Sequence, residues 1–135
     1  MIVADASLIA CFAVGNEQSA LADAVCAADA VWVAPLSWRS EFRSVLVECM
    51  RVAGMNLESA MLALRSAEEV TGGREYSVSS EHVLELAVRS KCTAFDCEYV
   101  ALAQDLGVPL VTLDRRVVQA FPKTALSPED FVRKK

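Results

Sequence analysis

Histidine is nearly absent from this chain: His82 is the single one among 135 residues. The five cysteines, Cys11, Cys26, Cys49, Cys92 and Cys97, form no C-x-x-C pair and lie mostly inside apolar periodic segments. A Cys/His zinc site is therefore not expected, and buried free thiols are. No apolar run reaches the ~18–20 residues that a bilayer span requires, because an acidic or basic residue interrupts each one. No basic segment precedes an apolar one at the N-terminus, and Asp5 falls where a signal peptide would be hydrophobic. A soluble, cytoplasmic protein is expected. The phosphate-binding pattern G-x-x-x-x-G-K-[ST] does not occur, which excludes nucleotide hydrolysis by a P-loop. Positive charge is short as well: 13 Lys and Arg stand against 18 Asp and Glu, a net charge of -5. A bulk positive field for holding nucleic acid is missing, so phosphate chemistry here would need cations from elsewhere.

What the chain has in quantity is apolar surface. The hydrophobic fraction is 54% and the mean hydropathy +0.33. These values exclude disorder and point to a well-filled core or to apolar surface buried in an oligomer. With no repeat and no low-complexity tract, a single domain over residues 1–135 is expected.

Ile2 to Ala4 reads as a short buried strand, and Ser7 to Val14 and Glu17 to Ala28 as helices separated by Gly15-Asn16. VWVAP, Val31 to Pro35, reads as a second strand closed by proline. From Ser37 the apolar residues Trp38, Phe42, Val45, Leu46 and Cys49 mark one face of a helix that ends at Gly54. Asn56 caps the next helix, which stops at Gly72-Gly73. Arg74 to Val78 reads as a loop or a short edge strand. Ser79 or Ser80 caps a helix running to about Lys91, and the helix carrying Tyr99, Leu102, Ala103 and Leu106 stops at Gly107. Pro109 to Leu113 then reads as a buried parallel strand, and Phe121 to Ala125 as a last one. Ser127 to Phe131 reads as a helical turn with proline in its first position. Short strands alternating with helices predict a three-layer α/β/α sandwich around a central, mainly parallel sheet.

Four acids stand out. Asp5 and Asp114 each follow an apolar strand and precede a helix, so each taken singly is explained as an N-cap. Thr93 and Asp96 fit a capping box of the T-x-x-D type. Glu41 falls near a helix start, where the dipole favours negative charge. Their joint placement is harder to explain that way. Ligands of open parallel sheets bind outside the carboxyl ends of the strands, where Asp5 and Asp114 lie, and Glu41 and Asp96 begin helices on the same edge. Two carboxylates ~5 Å apart at an effective dielectric of about 20 repel by roughly 3 kcal/mol. A hard divalent cation, Mg²⁺ or Mn²⁺, would resolve that repulsion and leave waters for a substrate phosphate.

The stretches DAS (Asp5 to Ser7), SWRSEFRSVL around Glu41, TAFDCEYVALAQ around Asp96 and GVPLVTLDRR around Asp114 resemble the ordered motifs of the PIN-domain nucleases, in particular the VapC-type toxins of prokaryotic toxin-antitoxin systems. The likeness spans nearly the whole chain. Its most specific part is D-x-x-Y-x-x-L-A followed by G-x-P-L-x-T-x-D. The resemblance implies a PIN-like sandwich with an acidic pocket for Mg²⁺ or Mn²⁺, endoribonuclease activity, frequent homodimers and, in toxin members, an antitoxin that blocks the site. It assigns the acids to Asp5, Glu41, Asp96 and Asp114, with Ser7 and Thr112 as polar helpers. The chain departs from the family in carrying Cys97 and Glu98 after the third acid.

On this reading Asp5, Asp96 and Asp114 hold the metal, and Glu41 completes the pocket and orients the attacking water. Hydrolysis leaves a 5′-phosphate and a 3′-hydroxyl. Arg39, Arg43, Arg115 and Arg116 are the candidates for RNA phosphate contacts, each with a solvated helix face as the plain alternative. Glu98 is an additional water-mediated ligand or a solvated residue. An aspartyl-phosphate phosphatase is disfavoured because Ser7 stands where D-x-D needs its second acid. The rival of a different class is a PIN-like RNA-binding or scaffolding module that keeps the acids without turnover.

Overall fold

Ile2–Ala4 forms β1, the central strand of the sheet in the computed structural model, which describes residues 1–135. The other strands are β2 (Trp32–Pro35), β3 (Glu75–Tyr76), β4 (Leu110–Val111) and β5 (Ala125–Leu126). They assemble in the order β3-β2-β1-β4-β5, every neighbouring pair parallel. The helices are α1 (Ala6–Ala13), α2 (Ser19–Ala28), α3 (Trp38–Val52), α4 (Leu57–Thr71), α5 (Ser80–Arg89), α6 (Ala94–Leu106), α7 (Arg115–Ala120) and α8 (Pro128–Arg133). The fold is a three-layer α/β/α sandwich. One helical layer has α1 at its centre, packed on α2, α3 and α4; in the other, α6 lies across β1, β2 and β4 with α5 outside it.

Both sheet faces are covered, which is why the strands carry no polar alternation: Ile2, Val3, Ala4, Trp32, Val33, Ala34 and Val111 are all fully buried. These residues belong to one core cluster of 31 side chains that also takes in Trp38, Phe42, Leu86 and Val100. No helix is long and apolar enough to cross a membrane.

The caps follow local sequence closely. Asn56 Oδ1 accepts from the Ser59 N–H at 2.8 Å, and Ser127 Oγ from the Asp130 N–H at 3.1 Å. Gly107 ends α6 in the left-handed region, φ 66°, where a residue with a Cβ is strained.

Three expected boundaries move. Helix α2 begins at Ser19 rather than Glu17, because Asn16 forms a turn in which its side chain accepts from the Gln18 N–H at 2.7 Å. Strand β4 is Leu110–Val111, shorter than Pro109–Leu113, although the Thr112 N–H still donates to the Leu126 carbonyl at 3.1 Å. The last strand is Ala125–Leu126 and not Phe121–Ala125. Phe121 to Thr124 is spent on a turn, with the Thr124 and Ala125 N–H groups both donating to the Phe121 carbonyl, at 3.0 and 2.8 Å. Pro122 has no N–H to give a ladder.

Candidate functional site

The chain leaves β1 in one direction to build β2 and β3 and returns to β1's other edge with β4. The carboxyl ends of β1 and β4 therefore flank a topological switch point, where open parallel sheets bind ligands. Pairing of Ala4 with Val111 sets the next residues, Asp5 and Thr112, side by side.

Asp5 is both cap and pocket residue. Its Oδ1 accepts from Ser7 Oγ at 2.6 Å and from the Leu8 N–H at 3.1 Å, and its Oδ2 accepts from Thr112 Oγ1. Each hydroxyl is in turn an acceptor. The Asp114 N–H donates to Thr112 Oγ1 at 3.0 Å and the Leu113 N–H to Ser7 Oγ at 3.3 Å. A backbone N–H can only donate, so both hydroxyl protons are directed at Asp5, which fits as an ionised acceptor. Ser7 and Thr112 thereby clamp the loop carrying Asp114 to the end of β1. Burial raises Asp5's pKa against the opposing effect of the Ser7, Thr112 and Leu8 hydrogen bonds, and Asp114's charge adds to the rise.

Asp114 caps α7 through the Arg116 N–H at 2.9 Å and pairs with the Arg116 guanidinium at 3.2 Å. Burial works to raise its pKa, but the Arg116 hydrogen bonds and charge outweigh it, and the carboxyl is held below its ordinary value. Asp96 completes the capping box: its Oδ2 accepts from the Thr93 N–H at 3.2 Å while Thr93 Oγ1 accepts from the Asp96 N–H at 3.1 Å. The other Asp96 oxygen has no protein donor. Capping and site formation are thus not alternatives for these three aspartates.

Glu41, in the first turn of α3, is the least satisfied of the four. Its Oε1 is buried without a hydrogen-bond partner, as is the hydroxyl of Tyr99. The two groups influence one another but do not meet at hydrogen-bond geometry. Burial, followed by the charges of Asp5, Asp96 and Glu98, pushes Glu41 up from 4.5 to about 7, against a lowering contribution from Tyr99. Tyr99 is itself raised, by burial first and then by the charges of Glu41 and Asp5, and stays a neutral phenol. The sequence reading counted Tyr99 among the apolar residues of α6; its i, i+3 spacing from Asp96 is the signal that both face one pocket.

Asp5, Ser7, Glu41, Asp96, Tyr99 and Asp114 line one cleft of about 160 Å³, closed below by Ala6, Leu110 and Val117. A larger cavity, about 600 Å³, opens near Val108 and Thr124, at the amino ends of β4 and β5, and holds no acid. No three His, Cys, Asp or Glu side chains stand close enough to hold a metal ion as they are. The donor set nevertheless suits Mg²⁺ or Mn²⁺, which retain water and need only one or two carboxylates directly. The cleft's donors are oxygens throughout, Glu41 Oε1 is an orphaned buried acceptor, and neither Asp5 nor Glu41 has a basic partner.

The arginines divide. Arg39 is engaged within the protein: its Nε and Nη1 each pair at 2.6 Å, with Glu75 and Glu68, and its guanidinium lies 5.1 Å over the Trp38 ring. It ties α3 to α4 and to edge strand β3. Arg116 is bound to Asp114. Arg43 and Arg115 are exposed and make no ion pair.

No family model and no curated protein matches the chain. Among solved structures, the protein PAE2754 from Pyrobaculum aerophilum is similar, with a TM-score of 0.74 at 22% sequence identity over 98% of this chain and 94% of that one. At that identity the likeness shows the fold.

Proposed function

We propose that the chain is a PIN-domain ribonuclease of the VapC type, hydrolysing RNA phosphodiester bonds with Mg²⁺ or Mn²⁺. The observation that carries the proposal is the orphaned Glu41 carboxylate in one cleft with Asp5, Asp96 and Asp114 at the switch point of the sheet. Asp5, Asp96 and Asp114 would hold the cation, which when bound supplies charge stabilisation and a more acidic water. Ser7 and Thr112 aim Asp5 and favour its ionised form against the effect of burial, and Arg116 favours ionised Asp114. Glu41, with a pKa of about 7, exchanges a proton readily near neutrality and is the group to take one from the attacking water. Tyr99 offers a phenolic donor beside it. Arg43 and Arg115 meet the RNA backbone.

A toxin role goes with this reading, and with it a cytoplasmic setting, a cognate antitoxin and a homodimer. The exposed Leu57, Met61 and Leu62 of α4 supply apolar surface for the antitoxin or the second copy. One observation favours the second reading, a PIN-like RNA-binding module without turnover: no three ligands converge unaided. Cleavage of a mixed RNA pool with Mg²⁺ or Mn²⁺, repeated with a chelator and with Asp5→Asn and Asp96→Asn, separates the two. Cutting lost in all three controls supports the nuclease. Cutting that survives both substitutions overturns the site, and RNA binding without cutting favours the module.

A further inference from the structure

A further cavity, of about 280 Å³, is lined by Val78, Ser80, Val83, Leu84, Ala94 and Glu98, and α6 links it to the acidic cleft, Glu98 following Asp96 by two residues. It lies between α5 and α6. Ala94 and Glu98 are i, i+4 neighbours on α6 and face it, while Asp96 and Tyr99 of the same turns face the acids. Its volume is just below the ~300–1,000 Å³ of small-molecule pockets, a size for one flat ring system and not for a length of strand. Val78, Val83, Leu84 and Ala94 make its walls mainly apolar, and Leu84 is 61% exposed.

Glu98 is the one charged residue of this lining. It is half-buried yet makes no hydrogen bond and no ion pair, and its charge reaches Glu41 and Tyr99 across the shared helix. The carboxylate faces an open, mainly apolar recess and has no donor from the protein. An ionised carboxylate only accepts, which sorts the four RNA bases. Guanine presents N1–H and N2–H₂ side by side, two donors for two oxygens. Adenine and cytosine set a ring-nitrogen lone pair beside their amino group, and uracil flanks its single N–H with two carbonyls. Each of these three turns an acceptor toward Glu98.

We propose that this cavity binds a guanine base of the RNA next to the scissile phosphate, with Glu98 accepting from its N1–H and N2–H₂ edge between the walls of Val83, Leu84 and Ala94. Ser80, whose hydroxyl has no partner in the protein, is placed on the same wall to donate to O6. The inference rests on RNA being the substrate, and it makes Glu98 a specificity residue outside the metal and proton machinery.

The test is fluorescence anisotropy of labelled hexauridylates carrying one central G, A or inosine, measured with EDTA so that nothing is cut. A bidentate base contact discriminates by ~1–3 kcal/mol, so the G oligomer should bind about tenfold or more tightly than the A oligomer, with inosine between them for want of the 2-amino group. Glu98→Gln should collapse the G-to-A ratio. The ratio is the readout because removing a negative charge strengthens binding to every RNA alike. Equal affinity for G and A, or a G preference that survives Glu98→Gln, overturns the pocket. A parallel arm with Mn²⁺ separates the two proposals: G-selective binding without cleavage sinks the nuclease and keeps the pocket, whereas cleavage without base preference does the reverse.

Discussion

Replacing Glu41 by Gln should stabilise the metal-free protein, increasingly from pH 4.5 to about 7 and by a constant amount above that. Below pH 4.5 the residue is protonated in both the folded and the unfolded chain. Between 4.5 and about 7 the unfolded chain releases the proton while the folded chain keeps it, so the folded state binds more protons and stability falls as pH rises. Above about 7 the loss is complete and constant. A displacement from 4.5 to about 7 corresponds to ~3 kcal/mol at 1.36 kcal/mol per pH unit. Water reaching the half-buried carboxylate reduces what is realised to roughly 1–2 kcal/mol. Since about 1 kcal/mol moves the melting temperature of a domain this size by ~4 °C, Glu41→Gln should melt ~4–8 °C above wild type at pH 8.5. At pH 4 and below, where the residue is protonated in both states, the two should nearly coincide. Thermal melts of both proteins in EDTA across that range check this. Parallel curves would refute the placement of a strained carboxylate in the cleft, as would a Gln variant that is destabilised at every pH.

Thr112→Val keeps the shape but strips Asp5 of one donor and the Asp114 N–H of its acceptor, and should cost about 1–3 kcal/mol in urea unfolding; Thr112→Ser should recover most of it, and a cost near zero would show that the clamp does not hold the loop. Arg39→Met removes two ion pairs at 2.6 Å and should lower stability by about 1 kcal/mol, a modest figure because the group is partly exposed. It should leave the salt dependence of RNA binding unchanged, whereas Arg115→Gln should reduce that slope by about one. The reverse pattern would make Arg39, and not Arg115, the phosphate contact.

The sequence carried most of the local structure because caps and stops are local. Asn56, Ser79, Thr93 with Asp96, and Ser127-Pro128 act through N–H groups three residues on, and such spacings are visible in a string. The site was legible for a related reason: a parallel sheet places the residue after each apolar run on one edge, so Asp5 and Asp114 converge without any contact being known. What distance decides was not legible. Thr112 reaches Asp5 across 107 positions, a contact that no local spacing marks. Arg39 finds its partners Glu68 and Glu75 in α4 and β3, far beyond the helix face on which it was read as free. The β5 boundary moved because a turn took the N–H groups of Thr124 and Ala125. Tyr99 passed for core because its ring is core; only its hydroxyl belongs to the cleft.

The account stands or falls on whether the four acids share a cation. Crystals soaked in Mn²⁺ and measured for anomalous scattering would answer directly. A peak within the cleft, bounded by Asp5, Asp96 and Asp114 and absent from crystals of Asp5→Asn, is the expected result. An empty cleft at a Mn²⁺ concentration that supports RNA cutting, or a peak held by other residues, would contradict it.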